Sequence, residues 1–253
     1  MSITKEDFDS VAEAYRSHVD EWKQIPDRIN DTFDKLKVLS FGMWLATTGD
    51  RDEAQAELQK LFDKFEEIGE GIEAPYLFIG YAADWQSVAG TIRGANNVQA
   101  RPEYILDGHW TGKAQQRYAA SRAAQEKAMT TTDQMCEKVH EQLLKVAESG
   151  RALYKSIVDA LGTYITEVGS ALTQILAVIT ALEGAGLLID AVFNALNEAN
   201  KIYTQAYNDI QGHIIAANEL INLTDNPLGL PDDRWPNSVA TTFSNPGDWK
   251  LAE

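Results

Sequence analysis

Apolar side chains recur at three- and four-residue spacing along most of this 253-residue chain. This is the period of an α-helix that buries one face. The first such stretch runs from Thr4 to Lys23, and Thr4 followed by Asp7 is typical of a capping box at a helix start. No alternation of apolar and polar residues is long enough to predict a strand. The pattern therefore predicts an all-α protein.

Three further helices are predicted before residue 100, each with apolar residues on one face: 26–44, 52–72 and 75–94. Turn residues at 47–50 separate the first two of these helices, and Gly69 and Gly71 end the next one. Pro75 suits a helix start, because the first turn needs no N–H donor from that position. A loop is predicted over 96–108.

A coiled-coil-like seam occupies the second half of the chain. Between Val139 and Leu182 the apolar spacing alternates between four and three residues, and a straight helix of this length spans about 65 Å. Gly184 and Gly186 form the strongest helix-breaking sequence of this half. They predict a tight bend between two antiparallel helices, after which the apolar spacing resumes at Leu188.

Prolines and turn residues after Thr224 predict that the helices end there. The chain accordingly divides into three parts, an N-terminal helical region (1–74), a long helical bundle (75–224) and an extended tail (225–253). Three aromatic residues are expected to anchor parts of the tail to the bundle, namely Trp235, Phe243 and Trp249. The predicted fold is thus an elongated bundle of long antiparallel helices with an extended C-terminal tail.

Composition and charge limit the classes of partner. The apolar fraction of 44% is sufficient for a packed core, and the formal net charge is −16, from 38 acidic and 22 basic residues. A nucleic-acid partner is not expected, because phosphate recognition needs a basic surface. The acidic N-terminus lacks an apolar core segment, so the sequence predicts no cleavable secretory signal.

The residue types that carry chemistry do not form a recognisable site. Cys136 is the only cysteine, which leaves no partner for an intrachain disulfide, and its apolar neighbours predict a buried small side chain. The four histidines lie in four separate segments: His18, His109, His140 and His213. The chain has no H-E-x-x-H, no phosphate-binding loop and no G-x-S-x-G. The prediction is a non-enzymatic protein without a cofactor or metal.

The region 171–196 is the most apolar part of the chain. Polar residues interrupt it, and neither limb of the predicted hairpin reaches the roughly 20 apolar residues of a membrane span. Packing in a core or an interface is therefore the favoured interpretation. The alternative is a membrane-active protein that uses this hairpin as its tip, with five candidate residues: Ile175, Val178, Ile179, Leu187 and Leu188.

The segment that best indicates function opens the long second half. Trp110 and Gly112 stand two apart in a predicted turn, and Ala114 and Tyr118 follow four residues apart on one helical face. This segment resembles the W-x-G motif of the WXG family, the substrates of ESX (type VII) secretion systems. In that family the motif joins two antiparallel helices. The resemblance would span 75–172, and the chain is most similar to the larger WXG-containing forms of the PPE and Esp-like types.

The resemblance implies a secretion-associated helical protein that acts through helix–helix association. Its partners would be a second copy of the chain or a WXG-type or other helical protein, together with the ESX machinery. It also implies export from the cytoplasm to the cell surface or medium without a signal peptide. The chain departs from the family pattern in two respects. The loop before the motif is longer, and no tyrosine is followed four residues later by Asp or Glu, the family's export signal.

Overall fold

Six α-helices make up most of the described chain in a computed structural model, which describes residues 3–105, 108–225, 227–236 and 250–251. They are α1 (Lys5–Lys23), α2 (Ile25–Leu39), α3 (Phe41–Gly69), α4 (Ala74–Gln99), α5 (Lys113–Leu176) and α6 (Ala181–Thr224). Short 3-10 turns lie at Pro102–Tyr104, Val178–Thr180 and Pro231–Asp233. Strands β1 (Trp110–Thr111) and β2 (Lys250–Leu251) pair antiparallel and are too short to produce an alternating pattern. The predicted all-α class is confirmed.

The chain divides into two compact units. Unit 1 contains Met1–Leu77 and Val146–Gln211, and unit 2 contains Phe78–Lys145 and Gly212–Glu253. Each unit is therefore built from segments that are far apart in sequence, because the boundaries fall inside α4, α5 and α6. The division into 1–74, 75–224 and 225–253 stays a prediction.

In unit 1, α1 begins at the expected capping box. The Asp7 backbone nitrogen donates to the Thr4 hydroxyl at 3.3 Å, and the Thr4 nitrogen donates to the Asp7 carboxylate at 2.9 Å. These two bonds satisfy donors that a helix start otherwise leaves free. At the other end of α1, Gln24 keeps right-handed helical backbone angles, so the chain passes into α2 without reversing. Pro26 stands in the first turn of α2, where its missing N–H is not needed.

The boundary between α2 and α3 differs from the predicted one. Ser40 adopts an extended backbone conformation, and its hydroxyl accepts from the Met43 nitrogen at 3.5 Å. Trp44 therefore belongs to α3, and the prediction of a turn at 47–50 is wrong, because these residues lie inside the helix. Both threonine hydroxyls in this stretch donate to carbonyls one turn earlier, at 2.9 and 2.7 Å. Such bonds satisfy threonine without ending a helix.

Two tyrosine hydroxyls bind carbonyls near the C-terminal end of α3. Tyr15 donates to the Phe65 carbonyl and Tyr154 to the Ile68 carbonyl, both at 2.8 Å. Gly69 makes room for the first of these contacts, since a β-carbon there would lie 2.8 Å from the Tyr15 hydroxyl oxygen. The end of α3 is thus tied to both α1 and α5.

The bend between α5 and α6 lies at 177–180, so the prediction of a bend at the glycine pair is wrong. Helix α6 runs through both Gly184 and Gly186. A β-carbon on Gly184 would lie 2.7 Å from the Ile175 nitrogen and 2.9 Å from the Ala171 carbonyl oxygen, whereas Gly186 has open space around it. Gly184 is therefore required for close approach of the two helices rather than for a turn.

The core of unit 1 is formed by α1, α2, α3 and the portions of α5 and α6 that belong to this unit. Its largest fully buried side chains are Trp22, Phe8, Phe33, Ile25, Ile29, Leu36, Leu58, Leu61, Ile157, Leu161, Ile175 and Leu188. The indole of Trp22 stacks on the ring of Phe62, with 4.5 Å between centroids. Burial of such large rings accounts for much of the stability of a helical core.

In unit 2, α4 packs against α5 through small and polar groups. Ala82 and Ala89 are buried, and the Nδ1 atom of His140 lies 2.7 Å from the Ala82 carbonyl oxygen. Arg93 on α4 donates to the Asp133 carboxylate at 2.9 Å and also pairs with Glu137.

The chain that follows α6 returns to α5 within unit 2. The Thr131 hydroxyl donates to the Leu228 carbonyl at 2.5 Å. Gly229 has φ +97°, and a β-carbon there would be 3.0 Å from the Ala128 nitrogen, so only glycine fits without strain. Of the aromatic residues expected to anchor the tail, Trp235 is half exposed. The other two, Phe243 and Trp249, lie outside the described residues.

Candidate functional site

The W-x-G segment lies in unit 2, directly before the longest helix. Trp110 and Thr111 form β1, and Gly112 follows with φ +99°, a conformation that side chains other than glycine's rarely adopt. Helix α5, 64 residues long, begins at the next residue. The Gly112 carbonyl accepts from the Gln116 nitrogen at 3.2 Å, so the helical hydrogen bonding starts at this glycine.

The other two residues of this segment lie in the first two turns of α5. Ala114 and Tyr118 are both partly buried. The Tyr118 hydroxyl donates to the Tyr104 carbonyl at 2.9 Å, which ties the start of α5 to the loop that precedes it. The four residues predicted from sequence therefore lie within one short stretch, and Tyr118 additionally holds the loop.

The five residues predicted as a membrane tip have different environments in unit 1. Ile175 and Leu188 are fully buried in the core, and Val178 is partly buried against the same core. Leu187 is exposed, and Ile179 is 98% exposed at the bend. Two of the five residues are thus accessible at the surface, and Ile179 is by far the more prominent.

A second exposed apolar corner, between α2 and α3, was missed by the sequence reasoning. Val38 is 87% exposed, and Leu39, Phe41 and Leu45 are also exposed. A signal was present for Val38, which falls outside the three-four spacing that places Leu36 in the core. Leu39 continues that spacing, but it is the last residue of α2 and is exposed there. Apolar residues that are out of phase with a helix stripe cannot be buried by the same packing.

The aromatic residues of this corner contact one another. The rings of Phe41 and Trp44 stack with 5.4 Å between centroids, and the Lys37 ammonium lies 4.7 Å from the centroid of the Trp44 ring. A cation at this distance over an indole is attracted by the ring electrons. The corner therefore combines exposed apolar side chains with a lysine held close to them.

In unit 2, α4 buries two alanines and exposes three large residues. Ala82 and Ala89 face the packed side, whereas Tyr81, Trp85 and Val88 are exposed. These three large residues follow helical spacing and form one stripe. An exposed apolar stripe of this kind is typical of a surface that binds another helix.

A polar groove of about 830 Å³ runs between α5 and α6 in unit 1. Its lining includes Asp159, Glu167, Asn194, Glu198 and Lys201. Lys201 pairs with Glu198 at 2.9 Å, as expected for solvated helix neighbours. Among the residues that the structure describes, no group of three His, Cys, Asp or Glu side chains is arranged to hold a metal ion.

Comparisons with known proteins supply no relative. No protein-family model matches the chain, and neither a curated protein nor a solved structure matches it. By length and composition, one described segment, Val178–Thr224, is long and apolar enough to cross a membrane, with a mean hydropathy of 1.5 in its most apolar window. The sequence had predicted a hairpin with two limbs, each too short to span a membrane. The segment is longer than either limb because the helix continues through Gly184 and Gly186 instead of bending there.

Proposed function

We propose that this chain is a non-enzymatic helical protein of a type VII secretion pathway, similar to the larger WXG-containing forms. The observation that carries the proposal is the position of Gly112, which has a left-handed backbone conformation between Trp110 and a 64-residue helix. Tyr118, at the aromatic position of the motif, bonds back to the preceding loop. In this proposal the W-x-G segment is the junction beside the helical surface that binds a partner.

The proposed partner surface is the exposed stripe of α4 in unit 2. Tyr81, Trp85 and Val88 would pack against a helix of a second copy or of a WXG-type partner. Within α4 the only charged residues are Asp84 and Arg93, and Arg93 is already paired with Asp133. A nearly neutral helix suits association in a chain of net charge −16, since two acidic surfaces would repel each other.

Export and association can be tested in one experiment. The chain and its Gly112→Ala and Trp110→Ala variants are expressed in a host that carries a type VII system, and the culture medium is assayed. Gly90→Ala is the matched control, because Gly90 lies in a helix of the same unit with open space around it. We expect both motif variants to lose export and the control to retain it.

Native mass spectrometry of the purified chain gives the second readout of this proposal. A Trp85→Glu variant is expected to dissociate any oligomer or partner complex, because a carboxylate would replace the central exposed ring of the α4 stripe. A chain that is strictly monomeric, is never exported and tolerates Trp110→Ala would contradict the proposal.

We also propose, as a second candidate, a membrane-active protein that uses the hairpin around 171–196. The favouring observation is Ile179, which is 98% exposed at the bend of an apolar segment long enough to span a membrane. Leakage of a dye from liposomes, with Ile179→Glu for comparison, tests this candidate. A charge at Ile179 is preferable to one at Val178, because Val178 packs on the core. Absence of leakage, or leakage that the variant leaves unchanged, argues against this function.

A further inference from the structure

The chain that follows α6 attaches to the rest of unit 2 at two places. At the first, here named the inner attachment, residues 227–236 return to α5, and the Leu228 carbonyl accepts from the Thr131 hydroxyl at 2.5 Å. At the second, here named the outer attachment, β2 pairs antiparallel with β1, and Leu251 lies opposite Trp110. All of these residues belong to unit 2. The two attachments are held by different kinds of contact.

The inner attachment is held by close backbone packing. Gly229 has φ +97°, and a β-carbon there would lie 3.0 Å from both the Ala128 nitrogen and the Lys127 carbonyl carbon. Two backbone hydrogen bonds of 3.0 and 3.2 Å shape the turns of this segment, and the nitrogens of Leu230 and Arg234 donate them. Because tightly packed contacts tolerate little displacement, this segment leaves α5 only as a whole.

The outer attachment is a main-chain pairing over two residues of each strand. Strands in folded proteins usually have about 3–10 residues, and a two-stranded ribbon by itself is only marginally stable in water. A main-chain hydrogen bond contributes little net stability, because water replaces the partner when the bond opens. We therefore expect the outer attachment to open locally far more often than unit 2 unfolds.

The outer attachment lies on the W-x-G segment itself. Trp110 and Thr111 form β1, Gly112 follows with φ +99°, and α5 begins at the next residue. In the part of the chain that the structure describes, the sheet contains β1 and β2 and no further strand. Detachment of β2 therefore exposes main-chain N–H and C=O groups along one edge of β1, and such an edge can pair with another extended peptide.

We propose that β2 is a displaceable cover of the W-x-G segment. It detaches from β1 while the inner attachment stays docked on α5, so the open state keeps the end of the chain close to the site that it leaves. The return of β2 is then an intramolecular step at high effective concentration. This cover goes beyond both functions proposed above, because its opening and closing require neither export nor a membrane.

Hydrogen exchange of the full chain, resolved to single amides by mass spectrometry, tests whether the outer attachment opens separately. The amides that pair β1 with β2 are expected to share one protection factor, since a single event frees them. That factor should be at least about ten-fold lower than those of the Leu230 and Arg234 amides in the inner attachment. Equal protection at the two attachments would mean that the tail opens as one piece and would overturn the cover.

A double proline substitution tests the pairing directly. Lys250→Pro/Leu251→Pro removes both N–H donors of β2, and the paired amides of β1 are expected to exchange at least about ten-fold faster. The Leu230 and Arg234 amides should keep their rates. Unchanged exchange of the β1 amides in this variant would overturn the cover. Circular dichroism of each variant verifies that the helices are intact.

Lys250→Ala/Leu251→Ala is the matched control, because it shortens both side chains and keeps the backbone donors. We expect the β1 amides of this control to exchange within about two-fold of the wild-type rate, since the main-chain bonds remain. An acceleration as large as that of the proline variant would also overturn the cover, because the contact would then depend on side chains rather than on strand pairing.

The export assay separates the cover from the proposed function. If a type VII pathway recognises the W-x-G segment, the proline variant, in which this segment is uncovered, should be exported at least as efficiently as the wild type. Export of the alanine control but not of the proline variant would mean that β2 is required at the segment, and would overturn a masking role. Absence of export for every variant contradicts the proposed function, whereas the exchange rates decide the cover independently.

Discussion

Gly184 of α6 and Ile175 of α5 approach so closely that a β-carbon on the glycine would lie 2.7 Å from the isoleucine backbone nitrogen. Gly184→Ala is therefore expected to force the helices apart and to reduce the free energy of unfolding by about 1–3 kcal/mol. Gly186→Ala, in the same helix but with open space around it, is expected to leave stability unchanged or raise it by up to about 1 kcal/mol. Urea denaturation measures both, and equal effects would contradict the close approach.

Unit 1 should lose stability at alkaline pH because of its buried tyrosines. Burial raises the pKa of Tyr15, Tyr154 and Tyr164 above the ordinary value. When the pKa of a group is higher in the folded state than in the unfolded state, keeping that group neutral stabilises the fold, and this stabilisation is fully present below the pKa of the unfolded state, about 10 for tyrosine. The stabilisation is lost as the pH rises above that value. We expect a constant urea midpoint from about neutral pH to about pH 9 and a falling one above about pH 10.

Substitution identifies the tyrosines responsible for that decline. Tyr164→Phe removes one buried ionisable hydroxyl and should make the alkaline decline shallower, whereas Tyr207→Phe, at an exposed position on α6, should leave it unchanged. An identical decline in both variants would mean that ionisation of Tyr164 is not linked to unfolding.

Cys136 should react slowly with thiol reagents in the folded protein. Its side chain is 2% exposed, and burial, with a smaller contribution from Asp133, raises the pKa of the thiol. Since the thiolate is the reactive form, both effects slow alkylation. We expect reaction with a chromogenic disulfide to be complete only after unfolding in urea. Rapid labelling under native conditions would place this cysteine at a surface.

Gly112 should resist substitution for conformational reasons. Its φ of +99° disfavours any side chain, so Gly112→Ala is expected to cost about 1–3 kcal/mol of unfolding free energy. Gly94→Ala on α4 of the same unit, where a β-carbon would have no neighbouring atom within 4 Å, is expected to be neutral or stabilising. Thermal denaturation measures both variants. A Gly112→Ala protein that melts like the wild type would remove the conformational reason for a glycine at this motif.

Local signals predicted several features of unit 1 correctly. The capping box at Thr4 and the helix that continues to Lys23 were predicted from short-range spacing, because helix capping and helix periodicity depend on neighbouring residues. In unit 2, the burial of Cys136 followed from its apolar neighbours. The candidate W-x-G stretch could also be located from sequence, since its residues are adjacent in the chain.

The places where prediction failed involve contacts between distant segments. Gly184 and Gly186 have the same local chemistry, yet only Gly184 meets the α5 backbone. Ile175 and Ile179 both belong to one apolar run, but the 3-10 turn at Val178–Thr180 buries the first and exposes the second. Spacing along one helix does not reveal which backbone packs against it.

The amino-acid sequence by itself determined that this protein is helical, acidic and without a recognisable catalytic motif, because helical period and charge are properties of local sequence. Only the tertiary structure decided where the helices reverse and which apolar side chains stay exposed. The reason is that the helix packed against a residue decides its role. It decides whether a glycine lies in a close helix contact or in a turn, and whether an isoleucine is buried or exposed.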